Sequence, residues 1–518
     1  MLDVFSTKQL LLQLASAFFL ITSFWNFYHK RMNLAVFYLT VSALLFYSFV
    51  AILDPFLHIW DERFHALVAK NMADHPLLPT LYNQPIVSMA YDRWDRAVVW
   101  LHKQPLFLWQ IAVSYKIWGF NEFGLRFPSV LMSALLIPIS YRVGKLLVNE
   151  ATGYISAILM LSSFYTVQLV SGVQGMEHND VAFLFYVSAS IWAWAEYEHA
   201  ASACKWRWAV LIGLFSGAAI LCKWLVGLLV YAAFSSQLLA DSKWKRVLHI
   251  GMAATVTALI VLPWQFLSFK WYPAEAAFEL EYNTLHFTEA IEGHGGEFFF
   301  HWDMIPVLFG SIVPYLIIPA MLGLVLAAKS RKIALAFVAM PILVYVFYSL
   351  ASTKMQSYPY VVAMPIVVCL AFLVQWILQR FTTVLPSKFS RWVLPFILIV
   401  LMYSNLRMSE LLKVHTTYYG ANEYHEGLSR NRLIFLGLKD SLPPNSVLFN
   451  VSGRHYVEAM FYTDFPSYEM MPTHSEIDEV LAAEMIPVVL NDGRVEIPAQ
   501  LLADKKILIV NENIHSYH

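Results

Sequence analysis

Asp61 and Glu62 stand side by side in HIWDERFHALVAKNM (58–72), just after an apolar run from Leu34 to Leu53. Basic and aromatic residues are the ordinary flanks of a membrane span, so two adjacent carboxylates there are candidates for chemistry. More polar groups recur at the ends of apolar segments. Lys103 lies beside His102 in WLHKQPLFLW (100–109). Glu177, His178, Asn179 and Asp180 form GMEHNDVAF (175–183). Lys223 interrupts LCKWLVG. His286, His294 and His301 lie in LHFTEAIEGHGGEFFFHWDM (285–304), and Lys354 in STKMQSYPY (352–360). Singly, each has an ordinary explanation: a solvated charge, an interfacial histidine or, for Lys354, a snorkelling lysine. The histidine spacings match no i, i+4 ligand pair. Asp180 and Lys223 lie nearer apolar segments, where an ionisable group is costly and marks function by default. Together, acids and lysines on one face suit a reaction with an anionic, lipid-linked substrate. A carboxylate takes the proton of an acceptor hydroxyl while lysines hold a phosphate leaving group as it gains charge.

These groups need a membrane scaffold, and the composition supplies one. The chain of 518 residues is 58% hydrophobic and only 14% charged, against about 25% charged in soluble domains. It reads as an α-helical polytopic membrane protein. A span takes roughly 20 apolar residues, and such runs fall at about 8–28, 34–53, 126–147, 151–171, 180–197, 208–222, 224–240, 247–267, 304–328, 333–350, 359–378 and 392–410, about 12 in all. With these spans the basic loops, from Lys30/Arg31 to Arg380/Lys388/Arg391, all land on one side, as cytoplasmic loops should. Every candidate group then faces the other side. The segment 105–119 is short for a span and reads as an interfacial or re-entrant helix on that outer surface. Leu10–Phe27 lacks a small-residue cleavage site and reads as a retained helix.

Two further inferences concern organisation. Loop 54–125 is rich in aromatic and aliphatic residues, with a helical pattern at Phe64, Leu67, Val68 and Met72, so it should pack on the membrane surface. Residues 411–518 read as a small soluble α/β domain. Its expected strands are 446–452, 487–492 and 506–512, and its expected helix is 475–485, capped by Ser475 and Asp478. It has no Gly-rich phosphate loop. Its outer placement makes it a candidate for choosing the acceptor. The three cysteines, Cys204, Cys222 and Cys369, build no disulfide framework or CxxC metal site. Net charge is −1 and no basic tract supports nucleic-acid binding.

The motifs WDERFHALVAKNM (60–72), HKQPLFLW (102–109), FGLRFPSVL (123–131), GMEHNDVAF (175–183), AILCKWLVGLL (219–229) and STKMQSYPY (352–360), in this order, resemble the C-type membrane glycosyltransferases. The likeness is to bacterial relatives of protein O-mannosyltransferases and of the lipid A aminoarabinose transferase. It covers roughly residues 34–380, so the N-terminal helix (1–33) and the C-terminal domain lie outside the common core 34–410. The resemblance implies an inverting transfer of a sugar from a polyprenyl-phosphate donor to a protein or glycolipid acceptor, at the periplasmic face of the bacterial inner membrane. It implies Asp61 as the catalytic acid of a DE motif completed by Glu62, Asp180 or else Glu177 as the acid of the next outer edge, and Lys103 and Lys354 as contacts to the donor phosphate. Arg63 is the further candidate for the donor phosphate, although it follows the DE pair directly, where the family sets its arginine two positions beyond the glutamate. The aminoarabinose transferase has a metal-binding glutamate where His102 stands. A divalent metal therefore stays an open alternative, with His102 and His301 as substitute ligands. A transporter or flippase is the rival function, but internal repeats and midplane charges are missing from the sequence. A scaffold built around the C-terminal domain would leave the ordered motifs without a purpose.

Overall fold

The computed structural model describes residues 5–174, 177–238, 244–384 and 387–515. Helices dominate: α1 Thr7–Tyr28, α2 Met32–Ala51, α3 Asp61–Asp74, α4 Leu106–Trp118, α5 Glu122–Leu147, α6 Glu150–Leu161, α7 Phe164–Ser171, α8 Glu177–His199 and α9 Lys205–Lys223. The chain continues through Leu229–Ser236, Trp244–Trp271, Pro273–Thr288, Val313–Ala327, Arg331–Leu350, Ala363–Val384 and Ser387–Leu406. Among the described residues, seven helical runs are long and apolar enough to cross a membrane, or nine if two bent pairs each count as one span. Apolar side chains cover even the outward faces: Leu11, Leu14, Phe18 and Ile21 of α1 are exposed. A helix that is apolar all round needs lipid on its outer side, so the chain is a polytopic membrane protein.

Small residues bring the spans together. Ser16 Oγ donates to the Ser42 carbonyl at 2.9 Å across α1 and α2. At Gly153 an added Cβ would lie 2.3 Å from the Tyr141 carbonyl oxygen, so α5 and α6 touch backbone to backbone. The expected span 151–171 is bent by 43° between α6 and α7. After α9 the chain doubles back: Trp224 has φ 62, and an added Cβ on Gly227 would meet Ile220 N at 2.8 Å. Lys223 therefore stands at a hairpin between two helices, as its position in the sequence suggests. The segment 105–119 forms α4, whose 13 residues are too few to span a bilayer.

The C-terminal α/β domain has a three-stranded parallel sheet in the order β1-β2-β3. The strands are β1 Ser446–Phe449, β2 Ile486–Asn491 and β3 Leu508–Asn511. Ser446 pairs with Ile486 and Val488 with Leu508. Val447, Leu448 and Phe449 of β1 and Val488, Val489 and Leu490 of β2 are buried, the apolar run expected of strands covered on both faces. The expected cap of the intervening helix needs correction. Its capping box is Thr473 with Glu476, and the helix runs His474–Ala482. Thr473 Oγ1 stands one residue before the first helical turn, where it reaches the Glu476 N–H; Ser475 is already inside that turn.

The domain is seated on the segment 54–125. Tyr462 Oη accepts from the Leu57 N–H at 3.2 Å and donates to Glu122 at 2.7 Å. Arg432 pairs with Glu122 at 2.8 Å, Arg96 with Glu469 at 2.5 Å, and Lys70 Nζ donates to the Phe461 carbonyl at 2.5 Å.

Candidate functional site

α3 begins abruptly. Trp60 precedes it with φ 69, a left-handed conformation that is costly for a bulky side chain and is commonly held at functional sites. Asp61 and Glu62 occupy the first helical turn, where the helix dipole favours anions. Successive helical residues are about 100° apart, and the next three side chains go three ways. Asp61 lines a cavity of about 1080 Å³, at the upper end of the range for small-molecule sites. Lys103 lines the same cavity, with Nζ 3.3 Å from Asp61 Oδ2.

Glu62 is fully buried and does not line the cavity. Arg126 of α5 grips it with Nε at 2.7 Å and Nη2 at 3.0 Å, and the His58 N–H donates to it at 2.6 Å. Arg126 also donates to the carbonyls of Ala51, Asp54 and Phe56. Burial alone would raise the Glu62 carboxyl; Arg126 outweighs it and holds the group below its ordinary value. Glu62 and Arg126 thus form a clamp on the loop that carries Asp61. Arg63 points a third way and pairs with Glu458 of the C-terminal domain at 3.3 Å, with both side chains buried.

Three expectations are corrected by this geometry. Glu62, grouped with Asp61 as catalytic but expected to orient the loop or the acceptor, faces the interior and touches no substrate space, so of those roles the geometry fits orienting the loop. Arg63 is turned from any donor phosphate by its pairing with Glu458. Lys354 does not line the cavity either. Its Nζ donates to the carbonyls of Ser349 at 2.7 Å and Ala351 at 2.5 Å, closing the end of Arg331–Leu350, where free carbonyls attract a cation. Its neighbours Ala351, Thr353 and Met355 do line the cavity.

Asp180 is hydrogen-bonded to Lys223 of the hairpin but does not itself line the cavity, so it meets the site through that lysine rather than directly. Lys223 and Asn179 line the cavity, and Lys223 Nζ sits 4.9 Å from the centre of the Tyr358 ring. Glu177 heads α8, and its side chain lies outside the described residues. His178 Nδ1 meets His65 Nδ1 at 3.2 Å.

The suggested metal ligands are apart in role. His102 lines the cavity, stacks on Trp94 at 4.6 Å and faces Glu279 Oε2 at 3.3 Å. His301 is buried with its ring 6.0 Å from that of Tyr348. Among the described residues, no group of three or more His, Cys, Asp or Glu side chains is arranged to hold a metal ion.

Several groups escaped the sequence reading. Glu292 lines the cavity and accepts from Trp94 Nε1 at 2.6 Å. Asp54 is ringed by His58 at 2.9 Å, His415 at 2.5 Å and His425 at 3.4 Å. Arg454, from the C-terminal domain, also lines the cavity. Arg126 and His65 lay within motifs already singled out; Arg454 carried a weaker signal, since it ends VSGR at one strand as Arg494 ends NDGR at the next.

Comparison with known proteins follows the same lines. Residues 102–266 match the family model described as dolichyl-phosphate-mannose-protein mannosyltransferase. The undecaprenyl phosphate-alpha-4-amino-4-deoxy-L-arabinose arabinosyl transferase of Pseudomonas aeruginosa is 28% identical over 263 residues, covering 48% of this chain and 45% of the relative. A Pseudomonas fluorescens protein of the same description is 25% identical over 282 residues, covering 52% and 48%. The chain thus spans just under half the length of these relatives. The crystal structure of ArnT from Cupriavidus metallidurans bound to undecaprenyl phosphate aligns with a TM-score of 0.64 at 19% identity, covering 86% of this chain and 87% of that one. The oligosaccharyltransferase AglB from Archaeoglobus fulgidus, in complex with an inhibitory peptide and a dolichol-phosphate, aligns at 0.55 and 13% identity, covering 84% and 64%. The chain carries the fold of the C-type membrane glycosyltransferases.

Proposed function

We propose that the protein is a membrane glycosyltransferase that moves a sugar from a polyprenyl-phosphate donor to an acceptor hydroxyl at the periplasmic face of the bacterial inner membrane. The observation that carries this reading is the Asp61–Lys103 pair on the wall of the large cavity. In this mechanism Asp61 takes the proton of the acceptor hydroxyl. The freed oxygen attacks the anomeric carbon, the bond from that carbon to the phosphate oxygen breaks, and the configuration inverts. The polyprenyl phosphate leaves with the electron pair of that bond. Lys103 and Lys223 stand on the same cavity wall to take up the charge that develops on the phosphate. Asp180 orients Lys223 through their hydrogen bond. The apolar surroundings strengthen each of these interactions relative to water.

The relatives' descriptions support undecaprenyl phosphate as the lipid carrier. The division into an N-terminal helix (1–33), a core (34–410) and a C-terminal domain (411–518) belongs to the same reading. The test is sugar release from a panel of undecaprenyl-phosphate-linked sugars by the purified full-length protein and Asp61→Asn, with envelope acceptors present. Turnover by the wild type and its loss in the variant is the expected result, and the active donor names the sugar. Equal turnover by both removes Asp61 from the mechanism.

A further inference from the structure

Among the described residues lining the cavity, Arg454 is the one contributed by the C-terminal domain. It sits in the loop that leaves the carboxyl end of β1, the end at which parallel α/β sheets commonly bind ligands. Gly453 and Arg454 have φ values of 67 and 60. Two successive left-handed residues, one of them an arginine, mark a conformation held by its surroundings. The surroundings are aromatic. The guanidinium carbon is 4.5 Å from the ring centre of Trp60 and 5.6 Å from that of Trp94. Trp60 is the residue immediately before Asp61, so the arginine is stacked against the start of the catalytic turn.

The charge of Arg454 is poorly matched by its neighbours. Its guanidinium makes no hydrogen bond among the described residues, and its ion-pair partner there is Asp95, 3.6 Å from Nε. Arg93 already grips Asp95 through two hydrogen bonds of 3.2 and 3.1 Å. The other nearby carboxylate, Glu469, is taken by Arg96 at 2.5 Å and accepts only the backbone N–H of Arg454 at 3.3 Å. The carboxylate of Glu292 meets the edge of Trp94 and is bonded there by the indole N–H. Three arginines thus face Asp95 and Glu469. The planar fork of Arg454, a third exposed, is left to bind an oxyanion in two-point geometry.

We propose that Arg454 is a specificity-determining residue that binds a phosphate or carboxylate of the acceptor and so sets which hydroxyl reaches Asp61. The inference rests on the glycosyltransferase reading above, with Lys103 and Lys223 serving the donor phosphate and Arg454 serving a second anion. The acceptor class is a molecule with an anionic group close to the hydroxyl that receives the sugar. The C-terminal domain, through this arginine, acts here as the acceptor's reader.

The experiment uses the full-length protein in nanodiscs, saturated with undecaprenyl phosphate and titrated with inorganic phosphate while indole fluorescence is followed. The expected result is a saturable change in the wild type, at least tenfold weaker in Arg454→Gln and within threefold of wild type in Arg454→Lys. Asp95→Asn, which removes the competing carboxylate, should tighten phosphate binding about threefold, whereas a merely structural arginine would gain nothing from losing its partner. Undecaprenyl phosphate affinity should stay within twofold in all four proteins. Equal phosphate titration by wild type and Arg454→Gln overturns the proposal. So does absence of a saturable change in the wild type, a loss of undecaprenyl phosphate binding in Arg454→Gln, or weakening in Asp95→Asn. If the wild type does not bind undecaprenyl phosphate at all, the donor reading fails and the acceptor role falls with it, whether or not phosphate still titrates at Arg454.

Discussion

Two neighbouring carboxylates in one turn of α3 do opposite things. Asp61 opens onto the cavity beside a lysine, whereas Glu62 is sealed in the interior by an arginine that also ties three carbonyls of the preceding loop. The first charge pair is loose and accessible; the second is tight and dry. The proposed reaction needs the former, because a general base must exchange protons with a substrate. Precision needs the latter, because a base on a loop between a span and a surface helix would otherwise wander. The site is thus made of a working pair and a holding pair set one residue apart.

This contrast makes graded predictions. Asp61→Asn should lower transfer by about 10²–10⁴-fold while the purified protein keeps its thermal unfolding midpoint. A variant that unfolds instead would erase the distinction between the two carboxylates. Arg126→Met should do the reverse. It leaves Glu62 buried without its partner, a change that typically costs about 3–5 kcal/mol, and it should be seen first as lost folding yield and heat resistance. Lys103→Met should weaken undecaprenyl phosphate binding by about tenfold, or about 1.4 kcal/mol, with little change in stability, which isothermal titration would measure.

A further effect concerns pH. Burial, then the nearby charges of Lys103 and His102, keep the His65 ring well below its ordinary proton affinity. The unfolded chain takes the proton near pH 6.5, before the folded one does. Stability linked to His65 is therefore full above that pH and falls below it, by about 1.4 kcal/mol per pH unit. Unfolding midpoints at pH 7, 6 and 5 should show a decline that His65→Asn makes shallower.

Much of this was legible from residue types. The apolar runs located most of the helices, although the run 304–328 is broken by a 93° bend between Phe300–Phe309 and Val313–Ala327 and, among the described residues, only Leu229–Ser236 of the run 224–240 is α-helix. The alternation after residue 440 located β1, β2 and β3, because burial on both faces demands continuous Val, Ile and Leu. Asp61 and Lys103 stood out as charges at the edges of apolar segments. The role of Arg63 was less visible, and that of Glu62 was left between orienting the loop and orienting the acceptor, although one signal was present: three successive helical residues about 100° apart cannot all face one cavity. The partners that occupy them, Arg126 and Glu458, lie far away in sequence, and single-chain patterns carry no record of such pairings. Lys354 was misassigned for a related reason. A lysine just after an apolar helix suits a phosphate site and a helix end equally well, and the carbonyls of Ser349 and Ala351 decide between them.

The pairing of Arg63 with Glu458 has a consequence for how the protein is made. Synthesis proceeds from the N-terminus at about 5–20 residues per second, so the partner of Arg63 emerges roughly 400 residues, or some 20–80 s, after it. Until then the turn bearing Asp61 lacks the Glu458 carboxylate that pairs with Arg63 behind it. A chain cut before Glu458 would therefore leave Arg63 without this partner and α3 with less to hold it.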